Sequence, residues 1–139
     1  MIYLLASAFL FLPITKTYGT CKLGMDTLSR RSVYLTSEIE PQREGGKAAL
    51  NRFMNKILHA PESSLDGHNE YIDPRYTVAF IVEADGQINS GRVVHDNTNQ
   101  IGEQILKAVK NCRWLPGQYN DKKVPVLYSF SVIIDFQKE

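Results

Sequence analysis

Neither sign of charge dominates this chain of 139 residues. Its 16 Lys and Arg residues are balanced by 15 Asp and Glu residues, which gives a formal net charge of +1 at pH 7. The basic residues are dispersed, and the pair Arg30-Arg31 is too short to form a phosphate-binding patch. The charge pattern therefore argues against nucleic acid as a partner.

Motifs for catalysis and for metal binding are also lacking. His59, His68 and His95 fall on different predicted elements, with no Cys or carboxylate at metal-ligand spacing. Ser63-Ser64 and Ser129 lack the sequence context of a serine nucleophile, and no phosphate-binding loop motif is present. We therefore expect a protein that is not an enzyme and that uses neither a metal nor a cofactor.

Long apolar runs are limited to one. Residues Ile2 to Leu12 are apolar apart from Ser7, but a bilayer-spanning helix needs about 20 residues. The run fits the core of a signal peptide, with small residues before a cleavage site after Gly19, although the preceding segment carries no Lys or Arg. We predict export with residues 1–19 as the signal peptide; an uncleaved anchor and a misassigned start codon are the alternatives.

Only two cysteines are present, Cys21 and Cys112. In an oxidising compartment they can pair, and closing a loop of about 90 residues stabilises a fold by about 4 kcal/mol in the chain-entropy model. Alternatively Cys21 is lipidated, which would associate the protein with a membrane, although Tyr18-Gly19-Thr20 is a poor lipidation signal. A third alternative is two free thiols, with Cys112 filling a helix face. The sequence leaves these three open.

The most regular pattern in the chain is an alternation from Val124 to Phe136. Its apolar and aromatic members occupy every second position: Val124, Val126, Tyr128, Phe130, Val132, Ile134 and Phe136. A period of two predicts a long strand with one apolar face that helices can cover. Pro125 cannot donate to a strand ladder, so at least that end is predicted to lie at an edge or outside the paired region.

Two amphipathic helices are predicted. The first begins after Gly45-Gly46, and its apolar stripe is Leu50, Phe53, Met54, Ile57 and Leu58. The second has the stripe Ile101, Ile105, Ala108, Val109 and Cys112, with Asn99 as its cap. Trp114 follows this helix, and we assign it to the core rather than to a binding platform with Tyr119.

A β-hairpin is predicted between the two helices. Tyr76–Val82 alternates as a strand, and Ala84-Asp85-Gly86-Gln87 supplies the turn into a second strand that ends near His95. Ile88 and Val93 have opposite parity, which predicts a bulge at Gly91.

The resulting element order is helix, strand, strand, helix, strand. It predicts an α+β fold in which two helices pack on a three-stranded antiparallel sheet. We assign residues 40–139 to this domain and residues 20–39 to a polar N-terminal lead-in, in which Val33-Tyr34-Leu35 is a short strand candidate.

Three motifs in this order resemble the TonB C-terminal domain family, in particular its Bacteroidetes type. EPQREGGKAAL at 40–50 is similar to P-x-x-x-GG-x-x-A-L, and VAFIVEADGQI at 78–88 is similar to V-x-F-x-V-x-x-D-G-x-I. WLPGQYNDKKVPV at 114–126 is similar to W-x-P-G-x-x-N-G-K-x-V-x-V, with Asn120-Asp121 in place of the usual N-G turn, and the closing I-x-F is Ile134-Asp135-Phe136.

The resemblance implies a stand-alone TonB C-terminal-like domain in the periplasm that contacts outer-membrane transporters. The family captures a short extended segment of the transporter beside its last strand, a case of strand addition. A full energy transducer of this kind also needs a transmembrane anchor and a long Pro-rich arm, and neither is recognised in this sequence.

We expect partner contacts on the less apolar face of the last strand and at its mouth. The residues are Leu127, Ser129, Ser131 and Ile133 on the face, with Gln118 and Tyr119 at the mouth. The partner is an outer-membrane transporter or another envelope protein. The alternative is a structural envelope protein that uses the same strand to form a homodimer, without a role in transport.

Overall fold

The computed structural model describes residues 21–58, 73–97 and 100–134. The elements are β1 (Leu23–Asp26), β2 (Arg31–Tyr34), β3 (Gln42–Arg43), α1 (Gly46–Ile57), β4 (Arg75–Val82), β5 (Ile88–His95), α2 (Ile101–Lys110), β6 (Trp114–Leu115), β7 (Gly117–Tyr119), β8 (Lys122–Val124) and β9 (Val126–Ile133). The predicted signal peptide, His59, His68, Ser63-Ser64, Asn99 and Asp135-Phe136 lie outside the described residues.

The main sheet has five strands in the order β1-β2-β9-β4-β5. The α+β class and the two helices are confirmed, and β4 pairs antiparallel with both β5 and β9. The predicted number of three strands is wrong, because β1 and β2 from the supposed lead-in join the sheet. Two small ribbons, β3 with β6 and β7 with β8, accompany it.

The helices cover one face of this sheet. α1 follows Gly45 and Gly46, whose φ angles of 89° and 80° suit glycine, and it buries Leu50 and Met54. α2 is fixed at its start by Asp96, which accepts a hydrogen bond of 2.6 Å from the backbone N–H of Gly102. The stripe predicted for α2 is confirmed, with four of its five members buried: Ile101, Ile105, Ala108 and Val109.

The core lies between the helices and the even-numbered side chains of β4. Tyr76, Val78, Phe80 and Val82 are fully buried there, because a strand directs every second side chain to one face. Trp114 completes this core at 3% exposure, and its indole N–H donates to the carbonyl of Val109 at 3.1 Å. The assignment of Trp114 to the core is confirmed.

Local turn signals were predicted well. β4 and β5 are joined around Gly86 at φ 85°, and a bulge places Ser90 and Gly91 where a regular strand would have one residue. Asn120 and Asp121 both have positive φ, 48° and 60°, as a two-residue turn between right-twisted strands requires. They connect β7 to β8.

The hairpin of β1 and β2 is the main departure from the predicted lead-in. Its Val33 is fully buried, and Asp26 of β1 contacts Arg92 of β5 at 2.5 Å. In a flat sheet, strands at the two ends of this order would lie about 19 Å apart. The hairpin therefore folds over the face opposite the helices, which accounts for the burial of Ala79 and Ile81.

The last strand is shorter than predicted. Pro125 interrupts the alternation that begins at Val124, so Lys122–Val124 forms β8 and pairs with β7, while β9 runs from Val126 to Ile133. Proline lacks the N–H that a continuous ladder would need at this position.

Candidate protein-binding edge of the last strand

The backbone of β9 faces two ways in strict alternation. The N–H of Ile134 donates to the carbonyl of Pro74 at 2.9 Å, so the even-numbered residues of β9 face β4. On the other side, the N–H of Tyr34 donates to the carbonyl of Pro125 at 3.0 Å. The N–H and C=O groups of Ser129, Ser131 and Ile133 therefore point away from β4.

β2 covers only the first position of this outward side, where Tyr34 pairs with Val126. Within residues 21–58, 73–97 and 100–134, no strand pairs with the outward side of β9 beyond that position. We call Ser129–Ile133 the free edge. The last strand was predicted to lie at an edge of the sheet. This is wrong for the strand as a whole, because β9 lies between β2 and β4 in the strand order. The free edge is the part of β9 that β2 does not cover.

The predicted contact face of β9 is opposite the helices, with two serines between an apolar residue at each end. Leu127 is half-buried, whereas Ser129 and Ser131 are exposed and Ile133 is 71% exposed. The hydroxyls of Ser131 and Thr77 share a hydrogen bond of 2.8 Å across to β4. Four predicted contact residues thus lie on one face, three of them accessible.

A histidine and a carboxylate border the same face. Nε2 of His95 lies 2.9 Å from Oδ2 of Asp73, and His95 is the neighbour of Thr77 on β5. The backbone N–H of Arg75, with a smaller effect of His95, holds the pKa of the Asp73 carboxyl below its ordinary value. This corner of the sheet therefore presents an anionic carboxylate beside the imidazole.

The helix side of the free edge is aromatic. Tyr128 and Phe130 are half-buried, and the Tyr128 ring lies 5.7 Å from the ring of Trp114 and 5.8 Å from that of Phe80. Burial raises the pKa of Tyr128, and the charge of Glu40 raises it further. A strand added at the free edge would place alternate side chains beside these rings and beside the hydroxyls of the opposite face.

Gln118 and Tyr119 lie at the start of β9. The backbone of Gln118 is bonded to that of Ile39, with its N–H donating to the Ile39 carbonyl at 2.9 Å. The Tyr119 ring lies 5.4 Å from the ring of Tyr34, which pairs with Val126. The structure thus places these two predicted residues at the covered start of β9, outside the free edge.

Two residues with specific contacts, Tyr34 and Arg43, were not singled out as site residues from the sequence. Tyr34 ends the covered part of β9, and Val33-Tyr34-Leu35 gave a strand signal without indicating its partner. Arg43 stacks on Phe53 of α1, with its guanidinium carbon 4.9 Å from the ring centre. Only the spatial neighbours of Arg43 distinguish it from the other dispersed basic residues.

The two cysteines are free thiols in the structure. Cys112 follows α2, and its thiol donates to the carbonyl of Ala108 at 3.2 Å, whereas Cys21 precedes β1. The disulfide considered from the sequence is therefore not formed here. Lipidation of Cys21 stays a prediction.

The part of the chain that the structure describes has no group of three or more His, Cys, Asp or Glu side chains arranged to hold a metal. Neither helix in that part is long and apolar enough to cross a membrane. No family model matches this chain, and no curated protein matches it either.

Proposed function

We propose that this chain is a periplasmic, non-enzymatic protein-interaction module of TonB C-terminal-like type. It binds an extended segment of an outer-membrane transporter, or of another envelope protein, by strand addition at the free edge. The observation that carries this proposal is the outward-facing backbone of Ser129, Ser131 and Ile133, which has no partner strand among the described residues.

Backbone pairing alone does not account for stable binding. Three outward residues offer three N–H and three C=O groups, and each hydrogen bond contributes about 1 kcal/mol net. Association costs about 4–15 kcal/mol in lost freedom. Side-chain contacts on one or both faces of the added strand must therefore supply the larger share of the affinity.

A pull-down with matched variants tests the proposal. The tagged chain is incubated with detergent-solubilised outer membranes, and recovered proteins are identified by mass spectrometry. Ser129→Pro removes an outward N–H without touching the β4 ladder, while Ser129→Ala keeps that N–H and removes only the hydroxyl. We expect the native chain and Ser129→Ala to recover a transporter and Ser129→Pro to lose it.

Equal recovery by Ser129→Pro, shown by circular dichroism to be folded, would overturn strand addition. Recovery of the chain alone would favour the second use of the edge, pairing between two copies. Light scattering then decides, since a dimer at low micromolar concentration that Ser129→Pro converts to a monomer would place the interface at β9.

A further inference from the structure

The β1–β2 hairpin exposes large apolar side chains on its outer face. Leu23 is 58% exposed and Met25 is 63% exposed. Both alternate along β1 with Asp26, which is buried against the sheet. Because a strand directs every second side chain to one face, Leu23 and Met25 lie together on the face that is turned away from the sheet. Leu28, in the turn that follows β1, is 56% exposed.

The exposed charges of the hairpin are both positive. Lys22 precedes β1 and Arg30 lies in the turn, so a cation flanks the apolar side chains at each end. Asp26 and Arg31, the other charged residues of 21–37, are each in an ion pair. Within the part of the chain that the structure describes, neither Lys22 nor Arg30 forms an ion pair. The outer face therefore combines apolar groups with two positive charges.

Backbone hydrogen bonds fix the hairpin at both of its ends. The N–H of Leu35 donates to the carbonyl of Lys22 at 2.7 Å, and the N–H of Lys22 donates to the hydroxyl of Thr36 at 2.8 Å. In the turn, the N–H of Arg30 donates to the carbonyl of Asp26 at 2.8 Å. The exposed side chains thus stand on a frame that is already ordered, which lowers the entropy cost of binding a surface.

The size of this face fits a bilayer better than a protein partner. Each strand has four residues, so the hairpin covers about 13 Å by 10 Å, whereas a stable protein interface buries about 800 Å² on each partner. Binding at a bilayer surface needs only a few apolar side chains and cations near anionic headgroups. The uncleaved anchor and the lipidated Cys21, both alternatives from the sequence, would each hold β1 beside a bilayer, because β1 begins two residues after Cys21.

We propose that the outer face of the β1–β2 hairpin docks on a bilayer surface that contains anionic phospholipid. Leu23, Met25 and Leu28 enter the interfacial layer, while Lys22 and Arg30 lie at the level of the lipid phosphates. Docking uses none of the residues of the free edge. It therefore adds a membrane contact to the proposed function and does not depend on strand addition.

An environment-sensitive fluorophore on a single cysteine tests the docking in the full chain. The label is attached through Met25→Cys or, as the matched control, through Val94→Cys, a position on β5 that is 59% exposed. Both are made with Cys21→Ser and Cys112→Ser. We expect vesicles of phosphatidylcholine with phosphatidylglycerol to raise the emission at position 25 about threefold or more and to leave position 94 unchanged. The label reports only its own surroundings, so the apolar run at 2–12 cannot imitate this signal.

Charge variants then test the role of the two cations. Each cation near an anionic surface strengthens binding about fivefold, so Lys22→Gln with Arg30→Gln should raise the lipid concentration at half-maximal response about tenfold or more. The control is Arg52→Gln with Lys56→Gln, which removes two exposed cations of α1 on the other side of the sheet. It should change that concentration less than about twofold. High salt should act like the first pair of substitutions.

Equal responses at positions 25 and 94, or none at position 25, would overturn docking through this face. An equal response to phosphatidylcholine alone would overturn the role of the cations. A response without vesicles that grows with protein concentration would assign the face to a second copy of the chain and overturn the proposal. Ser129→Pro should keep the vesicle response, so this inference and strand addition stand or fall separately.

Discussion

Asp26 and Arg92 form an ion pair of 2.5 Å that joins the two ends of the strand order. They are 66 residues apart in the chain, and the carboxylate of Asp26 is 1% exposed. The backbone N–H of Ser29 donates to the other carboxylate oxygen at 2.8 Å. This single side chain therefore shapes the turn of the β1–β2 hairpin and fixes the hairpin on the sheet.

Removing the charge of Asp26 should loosen that attachment. We expect Asp26→Asn to lower the free energy of unfolding by about 2 kcal/mol, because hydrogen bonds to charged groups are stronger than neutral ones and Arg92 loses its partner. Urea unfolding followed by circular dichroism measures the change. Arg31→Gln, which breaks the more exposed pair with Glu83, is the control and should cost less than about 1 kcal/mol. Equal losses would contradict a special role of Asp26.

The same carboxyl predicts an acid-sensitive component of stability. Burial acts to raise the pKa of Asp26, but hydrogen bonds from Ser29 and Arg92 outweigh it and lower the pKa from 3.8 to about 2. Because the folded pKa lies below the unfolded one, the contribution is complete above about pH 4 and is lost as pH falls toward 2. Unfolding free energies of the native chain and Asp26→Asn should therefore converge below pH 4. A constant difference down to pH 2 would show that this carboxyl does not titrate in that window.

Amide exchange should alternate along β9. The N–H groups of Tyr128, Phe130 and Val132 face β4, while those of Ser129, Ser131 and Ile133 face outward. We expect slow exchange for the first set and fast exchange for the second, measured residue by residue by NMR in deuterated water. Equal protection of both sets would mean that another strand covers the free edge. If the protection of the outward N–H groups then rises with protein concentration, that strand belongs to a second copy of the chain.

Gly86 should tolerate substitution much less than Gly46. Both have positive φ, 85° and 80°, but a Cβ at Gly86 would collide with the carbonyl oxygen of Trp114, whereas one at Gly46 meets nothing within 4 Å. We expect Gly46→Ala to cost about 1 kcal/mol of backbone strain and Gly86→Ala about 3 kcal/mol or more. Thermal unfolding of both variants measures the difference. Similar midpoints would contradict the close approach of β6 to this turn.

Sequence reasoning succeeded where the signal was local. The bulge at Gly91, the turn at Gly86 and the burial of Trp114 follow from parity, turn chemistry and side-chain size at neighbouring positions. The alternation in β9 also identified Ser129 and Ser131 as accessible residues of one face. These features depend on residues close together in the chain, so a pattern can predict them.

What was missed depends on residues far apart. In the β1–β2 hairpin Leu23 and Met25 are exposed while Asp26 is buried. The contact of Asp26 with Arg92 that holds the hairpin is one that no periodicity reveals. The limit of the free edge is set by Tyr34, which pairs with Val126, and the stacking of Arg43 on Phe53 depends on the fold and not on a local pattern. Because the sheet is assembled from distant segments, strand order could not be derived from the pattern of each strand alone.

The pairing of β4 with β9 also determines when the sheet can assemble. Thr77 and Ser131 share a hydrogen bond although 54 residues separate them, and the β1–β2 hairpin reaches β9 only at Val126. A chain that emerges from the ribosome N-terminus first therefore lacks a complete sheet until β9 has been synthesised. We expect the packed core to form only after β9 has left the ribosome, so that the sheet is completed at the end of synthesis.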